Sequence, residues 1–354
     1  MAQIIMDSGL RTNYARVKFE DCEHEYLDEI YSKVASYSEM SRNERYFLNG
    51  IVRFLKPAKI LEVGVASGGG SSIILNAIRD LPNSQLISAD YCEKYYGGQT
   101  ERLSGWLVDE EFPHLKGKWT IYSGGDISRY IERVGGDIDL LVLDTAHIHP
   151  WETLNFLCVL PYMKAGSWCV LHDVSLPYLP GREDDLACRY LYGHVATDCR
   201  IMPAPDEGYI PHFSNIGAFH ITEDTVKYSG GLFDSLLCPW MALPGVFDKR
   251  VFPCATPMLP QDLDDIRAII RRHYPERAGF FEHAVEFQEG IARHKTEHYR
   301  SFNGTWERNF PISYRLVKAV KGLCRRMKTR LRRYVERNFP ALFTRLRRWK
   351  HRNK

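Results

Sequence analysis

The 354-residue chain predicts a doubly wound α/β fold built on a mostly parallel sheet, with a helical N-terminal preface and a helical C-terminal extension. Three observations predict it. A short apolar run, Ile60 to Val65, ends in a glycine cluster and passes directly into a helical pattern, Ser71 to Arg79. Strand-like and helix-like stretches then alternate to about residue 171. Acidic residues stand at the ends of those strands, where a parallel sheet gathers ligand-binding side chains.

The elements follow in order. In the preface, Tyr26, Leu27, Ile30, Val34 and Tyr37 recur at helical spacing, as do Tyr46, Phe47, Ile51, Phe54 and Leu55; Pro57 closes the second helix. Residues 1–57 therefore read as an irregular start and a helical cap. Strands are predicted at Ile60–Val63, Gln85–Ala89, Trp119–Tyr122, Ile138–Leu143 and Trp168–Leu171. Helices are predicted between them, at Ser71–Arg79, Glu101–Val108, Ile127–Val134 and Trp151–Met163, the last ending in a glycine turn at Gly166. Asn215–Ile221 reads as a late strand of the same sheet. Between Val174 and His212 the pattern dissolves into Pro, Gly and charge, which reads as a lid-like insertion or a surface loop. Residues 223–310 form an aromatic, Pro-containing extension with helices near Leu263–His273 and Ala278–His294, and 311–354 form a basic tail.

The stretch Lys59-Ile-Leu-Glu62-Val-Gly64-Val-Ala66-Ser67-Gly68-Gly69-Gly70 carries the first chemical signal. Glycines let backbone approach a ligand, and the helix that follows offers unpaired N–H groups. Glu62 is out of place in a purely apolar buried strand. Asp90, followed by Tyr91, ends the second strand, where an acid can accept hydrogen bonds from ribose hydroxyls or cap a turn. After the third strand, Ser123-Gly-Gly-Asp126 places an acid that can meet a base or cap the next helix. A dinucleotide dehydrogenase is disfavoured, because the Gly-x-Gly-x-x-Gly spacing is absent and Glu62 would be unexplained.

The run from Glu62 to Gly70 resembles the first motif of class I S-adenosylmethionine-dependent methyltransferases, Glu-x-Gly-x-Gly-x-Gly, with Ala66 at the middle glycine. That resemblance implies a seven-stranded Rossmann-like methyltransferase fold over residues 58–222. It also implies S-adenosyl-L-methionine bound through Glu62, Gly64, Ala66, Ser67, Gly68, Gly69, Asp90, Tyr91, Asp126 and Asp144. Asp144-Thr-Ala-His147 and His172-Asp173, at the ends of adjacent strands, resemble metal-dependent O-methyltransferases, closest to the bacterial sugar and macrolide group that includes macrocin O-methyltransferases. Asp144, His172 and Asp173 are then the expected ligands of Mg2+ or another divalent cation; position 172 is His where the catechol type has a carboxylate. His147 is the expected proton acceptor beside Asp144, with a helix cap as its other reading. His149 is expected to be structural or supporting. The implied reaction is methyl transfer to a hydroxyl of a sugar, glycan or natural product. The Asn-Pro-Pro-Tyr-like motif of amino-group methyltransferases is missing, since Asp-Thr-Ala-His stands in its place. Two other classes stay open: a non-catalytic nucleoside-binding or scaffolding member of the fold, and an RNA or protein methyltransferase.

Composition bounds the setting. A hydrophobic content of 44% and a charged content of 26% are those of a globular protein, and the longest apolar runs are strand-sized. Nine scattered cysteines without a Cys-x-x-Cys pair read as free thiols in a reducing cytoplasm. Net charge is +3, yet Arg315–Lys354 holds 16 Lys and Arg against one acid, Glu336; the tail is thus +15 and the rest −12. Leu316, Val320, Leu323, Met327, Leu331 and Val335 recur at helical spacing among these charges, and Leu342, Phe343, Leu346 and Trp349 resume it. An anionic membrane surface is the expected partner, ahead of packing on the body or on a second copy in a homo-oligomer; nucleic acid is disfavoured. The expected location is cytoplasmic, peripheral at the inner membrane face.

Overall fold

In the computed structural model, the described residues are 3–6, 14–18 and 30–309, apart from 31, 39, 98–100, 180, 184, 204–213, 246, 249, 253 and 254. They divide into a body, residues 1–292, and a second unit beginning at Arg293. The helix Ala278–Asn309 runs from one into the other.

The body is organised by a sheet of nine strands among the described residues. These are β1 (Gln3–Met6), β2 (Tyr14–Lys18), β3 (Lys59–Val63), β4 (Gln85–Asp90), β5 (Trp119–Ser123), β6 (Ile138–Leu143), β7 (Met163–His172), β8 (Arg200–Pro203) and β9 (Ile216–His220), in the order β1-β2-β8-β9-β7-β6-β3-β4-β5. Five adjacent strands, β7-β6-β3-β4-β5, are parallel, and β9 runs antiparallel to β7 and β8. From β8 to β5 this is the expected seven-stranded Rossmann-like arrangement. Chain progress reverses between β3 and β6, so the crevice of a doubly wound sheet opens there.

Burial explains these strands: Ile60, Leu61, Leu140, Leu141, Leu143 and Leu171 are fully enclosed. A strand covered on both faces needs such near-continuous apolar runs. One helical layer includes Arg42–Leu55, whose N-terminus is a capping box between Ser41 and Glu44.

Several expectations change. The start of the chain is not wholly irregular or helical: β1 and β2 form an antiparallel ribbon, and β2 joins β8 in parallel. Gln3–Met6 and Tyr14–Lys18 lie outside the strand–helix alternation that marks the later strands, so nothing local announces them. Met163–Gly166 belongs to β7 and not to a helix end. Gly166, at φ 86°, lies beside a register shift against β6, a bulge that glycine permits. Within 174–212, the helix Ala187–His194 buries Ala187, Cys188, Leu191 and Tyr192 and leads to β8. That part of the expected lid is therefore the crossover to a sheet strand. Residues 204–213, and the basic tail from 310 onward, lie outside the described residues.

Residues 223–292 share the sheet's core. Leu263, Ile266 and Ile270 of the helix Pro260–His273 and Phe281 of the next helix pack in one cluster with Leu61, Leu141 and Leu171. Two short strands, β10 (Ala242–Pro244) and β11 (Thr256–Met258), pair in parallel beside it.

Candidate functional site

The glycine turn after β3 is shaped by close backbone approach. Gly64 has φ 94°, and a Cβ there would lie 1.8 Å from the Asp144 carbonyl oxygen. Only glycine fits, because Asp144 N donates to Val63 O across the switch point at 2.9 Å. A Cβ on Gly68, at φ 93°, would lie 3.0 Å from Gly105 Cα, and one on Gly69 would lie 3.0 Å from Ser38 Cβ. Ala66 also sits in the left-handed region, at φ 49°. The motif's glycine is therefore replaced where its freedom matters, and the strain is of order 1 kcal/mol.

Asp90 compensates. Its Oδ2 accepts from the backbone N–H groups of Val65 and Ala66, both at 2.8 Å, and its Oδ1 accepts from Cys92 N at 2.7 Å. The residue expected at a ribose thus also holds the glycine turn. Glu62 plays a comparable part. Its carboxyl accepts from Ser71 Oγ at 2.5 Å and Ser88 Oγ at 2.6 Å, tying the helix Gly69–Ala77 to β4. Burial raises its pKa to about 7, against the lowering effect of those two hydroxyls. Ser67 Oγ donates to Tyr37 O at 2.9 Å. Asp126 caps the short turn Ile127–Arg129 through Ser128 N at 2.9 Å and accepts from Asn155 Nδ2 at 2.6 Å. Tyr91 OH reaches Asp262, 171 positions away, at 2.8 Å.

Glu62, Ala66, Ser67, Asp90, Tyr91 and Asp126 border one cavity of about 580 Å3, which also reaches Asp144, His147, His172 and Asp173. Its size suits a cofactor and part of an acceptor. Tyr37, Tyr91, Tyr95, Tyr96 and Trp151 supply aromatic walls.

At the carboxyl edge of β6 and β7 the ionisable residues converge. His147 Nε2 lies 3.0 Å from Asp173 Oδ2 and 3.8 Å from Asp144 Oδ1. Its backbone N–H donates to Glu152 Oε1 at 2.6 Å, which turns the ring inward at φ 60°. Burial alone would lower the His147 pKa. The Asp173, Asp144 and Glu152 carboxylates outweigh burial and raise it to about 9, so among these carboxylates alone His147 holds its proton at neutral pH and is not the free proton acceptor expected of it. Burial would raise the pKa of Asp173, but the imidazoles of His172 and His147 hold it well below the ordinary range. Asn215 also donates to Asp173.

The ligand atoms of Asp144, His147 and Asp173 all lie within 4.8 Å of one another. Two carboxylates, with an imidazole once it gives up its proton, are a donor set that suits a divalent cation. His172 stands just behind this set. Its Nδ1 is 3.2 Å from Asp144 Oδ1 and 3.4 Å from Asp173 Oδ2, while Nε2 faces Glu44 Oε2 at 3.4 Å. It ends β7 on the side covered by the helix Arg42–Leu55, so its ring is held among three carboxylates. The expected set of Asp144, His172 and Asp173 is close-packed, but His147 joins the two acids in the compact group.

His149 is buried, packs edge-on against Tyr190 at 5.4 Å, and is kept neutral by burial, which lowers its pKa to about 4. Sequence reasoning missed Glu44 and Glu152. Ser41-x-x-Glu44 is legible as a helix cap and Glu152 as a first-turn acid, but their approach to the histidines depends on tertiary packing. It also missed Thr256, Pro257 and Leu259, which line the cavity from far along the chain.

Residues 61–174 match the family model described as a methyltransferase domain. Compared by sequence with curated proteins, the chain matches none. Among solved structures, it is similar to an O-methyltransferase from Bacillus cereus in complex with SAH, at 13% identity and TM-score 0.42 over 56% of this chain and 91% of that one. It is similar to the O-methyltransferase TomG from Streptomyces achromogenes, in complex with SAM, at 17% identity and TM-score 0.41 over 58% and 91%. A third is the SAH-bound methyltransferase PaMTH1 from Podospora anserina, at 16% identity and TM-score 0.41 over 57% and 92%. The matched stretch spans β3 to β7, the part of the sheet that frames the switch point and carries the glycine turn, Asp90, Asp144 and Asp173. Residues 61–174 thus carry the match to a methyltransferase domain, on a sheet of the doubly wound kind.

Proposed function

We propose that this chain is a methyltransferase that takes its methyl group from S-adenosylmethionine and places it on an oxygen of a hydroxylated small molecule, with a divalent cation at the acceptor. The observation that carries this reading is the convergence of Asp144, His147 and Asp173 in the same cavity as the Gly64–Gly70 turn. The glycine turn and Asp90 hold the nucleoside end. Asp144 and Asp173 would hold the cation, which when bound lowers the pKa of a hydroxyl it touches. The sulfonium is already a strong electrophile, so the protein's part is to orient the two partners and exclude water. The acceptor hydroxyl gives up a proton as it takes the methyl group, and His147 Nε2, 3.0 Å from Asp173, would receive it in the neutral form left when a cation occupies Asp144 and Asp173. The carboxylates that otherwise keep a proton on His147 are the ones that would hold the cation.

Oxygen is favoured over nitrogen because Asp-Thr-Ala-His occupies the place of an amino-group motif. Tyr37, Tyr95, Tyr96 and Trp151 support a sugar or natural-product acceptor, since aromatic faces pack well on rings whose hydroxyls lie at the rim. Among the described residues no helix is long and apolar enough to cross a membrane. The +15 tail supports peripheral contact with an anionic surface, which would bring the enzyme to lipid-linked glycans.

Calorimetry with S-adenosylmethionine, with and without Mg2+, tests the cofactor; no binding in either condition overturns the reading. Asp144→Asn is expected to reduce methyl transfer at least 100-fold while changing S-adenosylmethionine affinity less than about threefold. Undiminished transfer by this variant would exclude the proposed acceptor site. Equal loss of both properties would move Asp144 to cofactor binding alone.

A further inference from the structure

We propose that the segment Thr256–Asp262, from the region after the last strand of the main sheet, is part of the nucleoside subsite; this rests on the reading above. The segment is anchored at both ends. At one end Thr256 N donates to Met241 O at 2.9 Å, and Met241 N donates to His149 O at 2.8 Å, so β11 hangs from the loop after β6. At the other end Asp262, in the first turn of the helix Pro260–His273, is 1% exposed.

A carboxylate so buried needs partners. Asp262 Oδ2 accepts from Tyr91 OH at 2.8 Å, and Oδ1 faces Arg129 Nη2 at 3.4 Å. Tyr91 follows β4 and Arg129 follows β5; Arg129 also donates to Gly124 O at 3.0 Å. Asp262 therefore clamps the two loops that lie on the β4–β5 side of the switch point, away from Asp144 and Asp173. The nucleoside is expected on that side, between Asp90 and Asp126.

Between the anchors, Thr256, Pro257 and Leu259 face the cavity. Leu259 is 46% exposed and stands outside both core clusters. An apolar side chain there, beside a proline, offers a surface on which a purine can lie. The Tyr91–Asp262 bond sets how far that surface stands from the glycine turn. Tyr91 and Leu259 are thus assigned to nucleoside binding, and Asp262 is a positioning residue that acts through Tyr91.

The test uses the full chain in calorimetric titrations with S-adenosylmethionine and with 5′-methylthioadenosine, which keeps the nucleoside and lacks the amino acid. Tyr91→Phe and Leu259→Ala are each expected to weaken both ligands at least fivefold and by equal factors. Asp262→Ala should do the same, and Asp262→Asn, which still accepts from Tyr91, should recover most of the loss. Leu259→Ala removes a half-exposed side chain, so it keeps the question open to refutation if Asp262→Ala fails to fold. Wild-type binding with Leu259→Ala and Tyr91→Phe within twofold for both ligands overturns the subsite and leaves the function reading standing. Weakening of S-adenosylmethionine alone would place the segment at the amino-acid end and overturn it too. A wild-type chain that binds neither ligand removes the function reading and this subsite together.

Discussion

Glu62 is an ionisable group buried beside the glycine turn. It is a carboxyl 2% exposed, held by two serine hydroxyls and no cation, and burial raises its pKa from 4.5 to about 7. A group whose pKa is higher in the folded state stabilises most below its unfolded pKa, and that contribution is lost as pH rises through the folded value. The shift corresponds to about 3 kcal/mol between pH 4.5 and 7. Thermal unfolding of the wild type is therefore expected to lose stability across that window, and Glu62→Gln is expected to flatten the slope. Parallel pH profiles for the two proteins would show that Glu62 ionises freely. Ala66 makes the complementary point. In the sequence it is a missing glycine; in the structure it keeps the glycine's left-handed backbone and is held by Asp90 at 2.8 Å.

At the scale of elements, the helix Pro260–His273 joins core to cavity. Its inner face buries Ile266 and Ile270 completely, while its first turn presents Asp262 to Tyr91. Ile266→Ala removes a packed side chain from the core shared with the sheet and is expected to cost about 3 kcal/mol in chemical denaturation. A cost below about 1 kcal/mol would mean that the helix adds little to the body's stability. β7 joins two functions in one strand: Gly166 takes up a register shift near its start, and its last residue, His172, is delivered to the site.

At the scale of the whole molecule, charge is divided along the chain. Residues before 315 carry −12 and the last forty carry +15. An acidic body is repelled by anionic surfaces, so attachment through the tail would be selective and salt-dependent. Deleting 315–354 is expected to abolish cosedimentation with vesicles rich in anionic lipid while leaving calorimetric binding of S-adenosylmethionine within twofold. Undiminished sedimentation of the truncated chain would exclude the tail as the membrane contact. Among the described residues Cys92, Cys158, Cys169, Cys188, Cys199 and Cys238 are free thiols, as their scattered spacing predicts.

By itself the sequence determined the β–α alternation, the switch-point glycine turn, and the acids that end β4, β6 and β7, because each is a local pattern of period, turn and strand end. Apolar runs of five or six residues bounded by glycine or charge leave little choice of element. Tertiary structure decided which side chains share a point. Asp144 and Asp173 meet because β6 and β7 are parallel neighbours, and His147 joins them because buried Glu152 holds its backbone. His172 turns towards Glu44, which the chain carries 128 positions earlier. Asp262 reaches Tyr91 across 171 positions. Such contacts arise from packing between distant elements, and no period or spacing along one chain encodes them. The short ribbon β1–β2 and the strand β8 were hidden for a related reason: they stand outside the strand–helix alternation, and β8, far along the chain from β2, supplies the other half of its ladder.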